Sequence, residues 1–207
     1  MKLCVFDFDS TLMDGETIDF LAAPLGLKDK VAEITEMAMR GELDFFESLV
    51  TRVKLLEGLE EKKVDEICHN LPFMPGAKET IEELKRRGYK VVVFSGGFRN
   101  ATGYAREVLG FDADFSNVLH AKEGYLTGLV GGEMMFDFSK GDMLSRLQKV
   151  LGVNPEDTIA VGDGANDRSM FKYAAKKVAF CAKEILKKEA NVVIERKDLR
   201  ELLNYID

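Results

Sequence analysis

Short apolar runs along the chain alternate with segments whose hydrophobic residues recur every three to four positions. The short runs are rich in β-branched and aromatic residues, and we expect strands at 1–9, 89–94, 158–161, 177–181 and 191–194. The run at 89–94 is almost continuously apolar, as expected of a parallel strand that is buried on both faces. Strands that alternate with helices predict a parallel sheet with helices on both sides.

Helical periodicity fills the intervals between these strands. We expect helices at 76–87, 100–109, 140–151, 169–175 and 199–205, and glycines follow the first three of them. The stretch 115–135 is mixed and rich in glycine, which predicts short strands and a β-hairpin flap near 118–135. The fold class is therefore α/β, with a Rossmann-like parallel sheet as its core.

Residues 14–74 interrupt the alternation, because they carry a helical pattern and no convincing strand. Four helices are expected at 16–25, 29–40, 44–57 and 60–70, and glycine or proline ends each of them. Asp44 and Glu47 have the spacing of a capping box at the start of the third helix. We interpret 14–74 as a helical cap inserted into a core formed by 1–13 and 75–207.

Composition narrows the class of protein. The 207 residues are 46% hydrophobic and 31% charged, as in ordinary globular proteins, and the formal net charge is −7. The charge argues against a nucleic-acid binder, which needs a basic surface, but a metal ion and a few cations can still admit an anionic substrate. The sequence contains no run that could span a membrane and no signal peptide, so we expect a cytoplasmic protein.

The three cysteines, Cys4, Cys68 and Cys181, lie far apart in apolar sequence. This spacing favours buried, reduced thiols over a disulfide or a zinc site. The two histidines, His69 and His120, have no metal-ligand spacing either. A histidine-based metal site and a phosphohistidine mechanism are therefore not expected.

Polar residues end three of the predicted strands. Asp7 and Asp9 end the first, Ser95-Gly96-Gly97 follows the strand at 89–94, and Gly162-Asp163-Gly164-Ala165-Asn166-Asp167 follows the strand at 158–161. The carboxyl ends of parallel strands meet at one edge of a sheet, where open α/β folds bind ligands. Asp-x-Asp alone is equally consistent with a strand that runs into a turn, because Asp, Ser and Thr are common turn formers.

The residue types at this edge point to a metal and a phosphate. Carboxylates from Asp7, Asp9, Asp163 and Asp167 are hard oxygen ligands that suit Mg²⁺. The Ser95 hydroxyl and the amides after it can donate to phosphate oxygens. Lys140 opens a helix, where its charge opposes the helix dipole, so its amine is expected to face an anion. The glycine-containing loop lacks Gly-Lys-[Ser/Thr], which excludes a Walker motif, and its acids disfavour a dinucleotide site.

Four motifs in this order resemble those of the haloacid dehalogenase superfamily of aspartyl-phosphate phosphohydrolases. They are Asp7-Phe8-Asp9-Ser10-Thr11, Ser95-Gly96-Gly97-Phe98, Ser139-Lys140-Gly141 and Gly162-Asp163-Gly164-Ala165-Asn166-Asp167. The resemblance covers nearly the whole chain. Within the cap, segments 16–19 and 45–52 most resemble those of family members that act on phosphoserine. One departure is the apolar run Met134-Met135-Phe136, where more polar sequence is expected.

The resemblance implies a mechanism. Asp7 would attack phosphorus to form a phosphoaspartate, and Asp9 would act as the general acid and then the general base. Mg²⁺ would bind the Asp7 carboxylate, the Asp9 carbonyl and Asp163, while Ser95, Gly96, Gly97 and Lys140 would hold the phosphoryl oxygens. Asn166 and Asp167 would orient the nucleophile and the waters of the metal; capping the following helix is the alternative role for both.

The resemblance also implies the substrate. Hydrolysis of O-phospho-L-serine to L-serine and phosphate, the last step of serine biosynthesis, needs a cation for the carboxylate and an anion for the ammonium. Arg52 and Glu16 are the candidates, with Met39 and Phe45 as walls of the pocket. From the pattern alone, Arg52 can equally extend its head into water. A first-turn acid explains Glu16 as well, and Met39 and Phe45 fit an ordinary core.

Two alternatives differ in activity. A phosphatase for another small amine-bearing phosphomonoester, or a phosphotransferase, would use the same chemistry. A signalling receiver that accepts phosphate on Asp also combines acids, Ser or Thr, Lys and Mg²⁺, but its acceptor follows a later strand and it has no helical cap. In either enzyme hypothesis the partner is a small molecule, with no nucleic acid and no membrane, and the sequence does not fix the oligomeric state.

Overall fold

The computed structural model describes residues 1–206. The strands are β1 (Lys2–Asp7), β2 (Tyr89–Phe98), β3 (Ala113–Lys122), β4 (Tyr125–Gly132), β5 (Thr158–Gly162), β6 (Lys176–Phe180) and β7 (Val192–Ile194). The α-helices are α1 (Thr17–Ala22), α2 (Lys28–Met39), α3 (Phe45–Lys54), α4 (Glu61–Cys68), α5 (Ala77–Arg86), α6 (Arg99–Leu109), α7 (Ser139–Leu151), α8 (Arg168–Phe171) and α9 (Glu184–Lys187). Short 3₁₀ helices occupy Ala23–Leu25, Pro155–Asp157, Ala165–Asp167 and Leu199–Tyr205.

The seven strands form one sheet in the order β4-β3-β2-β1-β5-β6-β7. All pairs of neighbours are parallel except β3 with β4. This confirms the expected α/β fold with a parallel sheet. Because β2, β1 and β5 are adjacent at its centre, the three polar strand ends of the sequence lie side by side at one edge.

The apolar strands are explained by burial on both faces. Leu3 and Val5 of β1 belong to one hydrophobic cluster, and the alternate residues Cys4 and Phe6 belong to the other. Successive side chains of a strand point to opposite faces, so helices on both sides require an unbroken apolar run. Within residues 1–206, no helix combines the length and the apolar character needed to cross a bilayer.

Four helices, α1 to α4, lie between β1 and α5, where the sequence predicts the cap. The Asp44 side chain caps α3 by accepting a hydrogen bond from the Glu47 amide at 2.8 Å. Backbone hydrogen bonds join the cap to the β3–β4 hairpin: Gly58 N to Leu126 O (2.9 Å), Leu126 N to Leu59 O (2.8 Å) and Glu61 N to Gly124 O (2.9 Å). The hairpin therefore docks on the cap through main-chain groups as well as extending the sheet.

Several boundaries differ from the sequence expectations. The strand expected to end at residue 94 continues through Ser95-Gly96-Gly97 to Phe98, with a register shift against β3 over this stretch. Glycine is a poor strand former, so the apolar pattern stops before the backbone pairing does. The hairpin likewise begins earlier than the expected flap, at Ala113, because β3 first pairs with β2 in the main sheet.

Three smaller expectations also need correction. Glu184–Lys187 forms a short helix that the sequence did not predict, and the closing helix at 199–205 is a 3₁₀ helix. All three cysteines are free, as expected, but Cys181 is only partly buried, whereas Cys4 and Cys68 are buried. Cys181 directly follows β6, has a φ of +45° and packs against the margin of the hydrophobic core.

The apolar run 134–136 has two different roles. Met134 and Met135 are buried, and both the amide and the carbonyl of Met134 hydrogen-bond to the Asn117 side chain, at 2.9 and 3.1 Å. Phe136 is partly exposed, and its ring stacks between Phe46 of the cap and Phe138, with centroid distances of 5.0 and 5.1 Å. The run therefore joins the loop before α7 to the cap helix α3.

We expect Phe136→Ala to lower the free energy of unfolding by about 1–2 kcal/mol, because each aromatic pair contributes roughly 0.5–1.5 kcal/mol. In a protein of this size the melting temperature should fall by roughly 2–8 °C, as measured by calorimetry. Phe138→Ala breaks one stack instead of two and should cost less. Leu129→Ala, at an exposed position outside the stack, is the control and should change little. Equal melting temperatures for all four proteins would contradict a stabilising stack.

Candidate active site

The ends of β1 and β5 place three carboxylates together. Oxygen atoms of Asp7, Asp163 and Asp167 all lie within 4.8 Å of one another, and the three residues are buried. Asp167 accepts hydrogen bonds from the amides of Asp163 and Gly164, at 2.9 and 3.0 Å, so it also holds the loop after β5 in shape. The side chain of Asp163 receives no hydrogen bond or ion pair from residues 1–206.

Lys140 neutralises part of this cluster. Its Nζ donates to Asp7 at 2.6 Å and to Asp167 at 2.5 Å, and its side chain is 3% exposed. Burial alone would lower the pKa of Lys140, but the two carboxylates raise it above its ordinary value, so the amine stays protonated. The Lys140 amine thus faces an anion, although that anion is the acid cluster itself in the protein without ligand.

One buried cation is too few for three buried carboxylates. Burial raises the pKa of Asp7 to about 7, with Asp167 adding to the rise and Lys140 opposing it. Burial, followed by the charges of Asp7 and Asp167, raises the pKa of Asp163 well above its usual range. The cluster therefore favours either protons or a second cation beside Asp163.

Asp9 points away from the acid cluster, towards the cap. One of its oxygens accepts hydrogen bonds from the amide and the hydroxyl of Thr17, at 2.7 and 2.5 Å, and the other accepts from Ser95 at 3.4 Å. Burial raises its pKa despite these hydrogen bonds. A Cβ at Gly97 would lie 2.6 Å from the Asp9 carboxylate, so only glycine allows this approach.

Some of the groups on β2 that are expected to donate hydrogen bonds to a phosphate already form hydrogen bonds within the protein. Ser95 is completely buried, and the Gly97 amide donates to its hydroxyl at 2.9 Å. That amide therefore already has a hydrogen-bond acceptor, and its predicted contact with a phosphate oxygen stays a prediction. Gly96 and Gly97 both line the cavity beside Asp7 and Asp9.

The cap covers a cavity over these groups. Its lining contains most of the candidate residues from both parts of the chain: Asp7, Asp9, Glu16, Met39, Phe45, Arg52, Gly96, Gly97, Asp163 and Asn166. Phe45 approaches so closely that a Cβ at Gly96 would lie 2.7 Å from its ring, and a Cβ at Gly164 would lie 2.8 Å from the Met39 sulfur. The glycines of the core loops therefore make room for the cap side chains.

Arg52 is buried in the wall of this cavity, which rules out the alternative of a head group in water. Its Nε donates to the Ser48 carbonyl at 3.1 Å and its Nη1 to the Thr35 hydroxyl at 3.0 Å. No carboxylate of the described residues lies within the 4.0 Å of an ion pair. Burial lowers its pKa, while Glu16, Asp19 and Asp9 act against that shift from a greater distance.

Glu16 precedes α1 and does not cap it through its side chain. Instead its carboxylate accepts a hydrogen bond from the Ser10 hydroxyl at 2.6 Å and lines the cavity. Burial, with the nearby charge of Asp9, raises its pKa to about 8. A carboxyl group in this setting is well placed to bind a cationic group of a ligand.

Asn166 and Asp167 differ in role. The Asp167 side chain is used by Lys140 and the loop amides, and it makes no capping hydrogen bond to α8. Asn166 is buried at the cavity and its Oδ1 has no hydrogen-bond partner among the described residues. Neither side chain therefore caps α8, although Asp167 accepts from the Gly164 amide at the start of the 3₁₀ helix Ala165–Asp167.

Sequence reasoning missed three hydroxyl groups that hold the site in place. Thr17 binds Asp9, Ser10 binds Glu16, and Thr35 binds Arg52. Thr17 and Ser10 lie inside the motifs that were singled out, so their positions carried a signal. Thr35 lies in the middle of α2, where nothing in the sequence distinguishes it from an ordinary helical residue.

A family model described as haloacid dehalogenase-like hydrolase matches residues 1–175. A phosphoserine phosphatase of Wolinella succinogenes is 66% identical over 206 residues, which cover 100% of both chains. One from Methanocaldococcus jannaschii is 52% identical and covers 99% of this chain and 97% of its own.

Solved structures agree with these sequence relatives. A substrate-bound phosphoserine phosphatase complex superposes with a TM-score of 0.97 at 51% identity, covering 100% of this chain and 98% of the other. Sequence similarity and the overall fold are thus shared over the whole length. The chain belongs to the haloacid dehalogenase-like hydrolase family.

Proposed function

We propose that this protein is a Mg²⁺-dependent phosphomonoesterase that hydrolyses O-phospho-L-serine to L-serine and phosphate. The observation that carries the proposal is one cavity with a carboxylate cluster at its base and, in its wall, a buried guanidinium that forms no ion pair with any carboxylate of residues 1–206. A buried unpaired charge is costly, so Arg52 is best explained by an anionic ligand. Phosphoserine offers a phosphoryl group for one end of the cavity and a carboxylate for the other.

The donor set fits Mg²⁺. Three buried carboxylates within 4.8 Å of one another form an all-oxygen site, and Asp163 has no other partner among the described residues. Asp7, Asp163 and the main-chain carbonyl of Asp9 would hold the ion, with Asp167 acting through its water molecules. When bound, the ion would neutralise the carboxylates and polarise the phosphoryl oxygens.

Asp7 is the proposed nucleophile. A carboxylate oxygen of Asp7 would bond to phosphorus while the bond from phosphorus to the serine oxygen breaks, which leaves a phosphoaspartate. Lys140 donates to Asp7 at 2.6 Å, so it holds the carboxylate in place. The same ammonium would stabilise negative charge on the phosphoryl oxygens during transfer. Water then attacks phosphorus, which releases phosphate and restores the Asp7 carboxylate.

Asp9 is the proposed proton carrier. Its carboxyl has a raised pKa and lies between the core and the cap, on the side where the serine oxygen would leave. It would give a proton to that oxygen in the first step and accept one from the attacking water in the second. The Thr17 hydrogen bonds keep its carboxyl oriented towards the cap during both steps.

The cap residues account for the amino-acid part of the substrate. The guanidinium of Arg52 matches a carboxylate in charge and geometry, and Glu16 matches an ammonium. Met39 and Phe45 are both buried at the cavity, where they exclude water from the site of phosphoryl transfer. The names of the similar proteins support the same substrate. We also propose that the enzyme is cytoplasmic and catalyses the last step of serine biosynthesis.

Removal of Mg²⁺ by a chelator, or Asp7→Asn, should each lower phosphate release from phosphoserine by roughly 10³-fold or more. Asp157→Asn, at an exposed position outside the cavity, is the matched control and should be as active as the wild type. Independently of activity, Mg²⁺ should raise the melting temperature of the wild type but not of Asp163→Asn. Full activity without a divalent ion would overturn the metal assignment.

Arg52→Met should raise the KM for phosphoserine by about 10²- to 10³-fold, the cost of removing one partner of a buried charge pair. Phosphoethanolamine has no carboxylate, so its turnover should be slow in the wild type and change little in the variant. Arg106→Met, which alters a half-exposed surface ion pair, is the control. A wild-type enzyme that shows no preference for phosphoserine over phosphoethanolamine or phosphothreonine would indicate another phosphomonoester.

Glu16→Gln should unfold at a higher temperature than the wild type at pH 9 and at the same temperature at pH 5, in the absence of metal and substrate. Between the ordinary pKa of 4.5 and about 8, the folded protein keeps a proton on Glu16 that the unfolded chain releases. Stability therefore falls as the pH rises through this window, and the amide removes the loss. Glu33→Gln, at an exposed site, should show no such difference, and an equal shift at both pH values would contradict the raised pKa.

A further inference from the structure

The Thr35 hydroxyl lies behind the cavity rather than in its wall. Thr35 is in the middle of α2, is 3% exposed and does not line the cavity. It nevertheless contacts Arg52, which is 17 residues further along the chain on α3. A buried hydroxyl between two cap helices therefore reaches the residue proposed to bind the substrate carboxylate.

The hydrogen bonds around Thr35 have a fixed direction. Its hydroxyl donates to the Val31 carbonyl at 2.9 Å, with the Asp19 carboxylate as a second nearby acceptor. A guanidinium can only donate, so towards Arg52 the hydroxyl acts as an acceptor. Arg52 Nη1 donates to it at 3.0 Å, and Arg52 Nε donates to the Ser48 carbonyl at 3.1 Å. Two nitrogens of the guanidinium are thus fixed to the cap, and Nη2 has no partner among the described residues.

The acceptor at this position is neutral, and this matters for binding. A carboxylate behind Arg52 would form an ion pair, compete with the substrate for the guanidinium and offset its charge. A hydroxyl orients the same group without neutralising it. The nearby Asp19 does not take this place, because no described carboxylate lies within the 4.0 Å of an ion pair with Arg52.

We infer that Thr35 is a positioning residue for carboxylate recognition: it holds the Arg52 guanidinium so that its free edge faces the cavity. The inference rests on the proposed function, since it assigns the part of the substrate on which Thr35 acts. Loss of the hydroxyl should weaken binding of substrates that carry a carboxylate and leave the phosphoryl-transfer chemistry unchanged.

The test compares Thr35→Val, which keeps the branched shape without the hydroxyl, with the wild type on phosphoserine and phosphoethanolamine. We expect the KM for phosphoserine to rise by about 10-fold or more with kcat nearly unchanged, because a hydrogen bond to a buried charged group is lost. The kinetic constants for phosphoethanolamine should not change. Thr35→Ser keeps the hydroxyl and should restore the KM for phosphoserine.

Thr80→Val is the matched control, because the Thr80 hydroxyl is also buried in a helix but has no hydrogen-bond partner in the part of the chain that the structure describes. It should leave both substrates unaffected. An unchanged KM for phosphoserine in Thr35→Val, or equal losses on both substrates, would overturn the inference. If Thr35→Val does not fold, Thr35→Ala removes the same hydroxyl and is read in the same way. A wild type that does not prefer phosphoserine would overturn the proposed function first, whereas a selective wild type with an unaffected Thr35→Val would overturn this inference alone.

Discussion

The structure depends on how buried negative charge is balanced at the edge of the central sheet. Lys140 bridges Asp7 and Asp167, and these ion pairs connect α7, β1 and the loop after β5. The Asp163 side chain has no partner among residues 1–206, so the same arrangement that stabilises the loops also leaves a place for one more cation. The site and the fold therefore depend on the same residues: the ion pairs that bring the carboxylates together also connect α7, β1 and the loop after β5.

The cap balances charge in the opposite way. Its cation, Arg52, is buried beside the cavity with no carboxylate of residues 1–206 close enough for an ion pair, and its carboxyl group, Glu16, accepts a hydrogen bond from the Ser10 hydroxyl. Both groups are oriented by neutral hydroxyl groups, and Glu16, with a pKa of about 8, would lose its proton on pairing with an ammonium. A zwitterionic ligand would complete both pairs at once, and preorganisation of this kind lowers the entropic cost of binding.

Much of the core could be predicted from the sequence because its signals are local. The strands were recognisable from continuous apolar runs, and Asp7, Asp163 and Asp167 from acids placed where such runs end. The continuation of β2 through Gly96 and Gly97 could not be predicted, because β2 pairs again with β3 at Phe98 after a register shift, and the residues themselves carry no signal for this pairing. Thr35 was equally invisible, since its importance arises from a partner on another helix.

The main-chain hydrogen bonds between residues 58–61 and 124–126 have a consequence for engineering. The module that covers the cavity is not one continuous segment, because the hairpin tip from the second half of the chain completes its edge. If residues 14–74 alone were transferred into a homologous protein, the backbone groups of residues 58–61 would have to form their hydrogen bonds with the hairpin of that other protein. A chimaera that exchanges both segments together preserves their pairing, so specificity in this architecture is best transferred as a discontinuous unit.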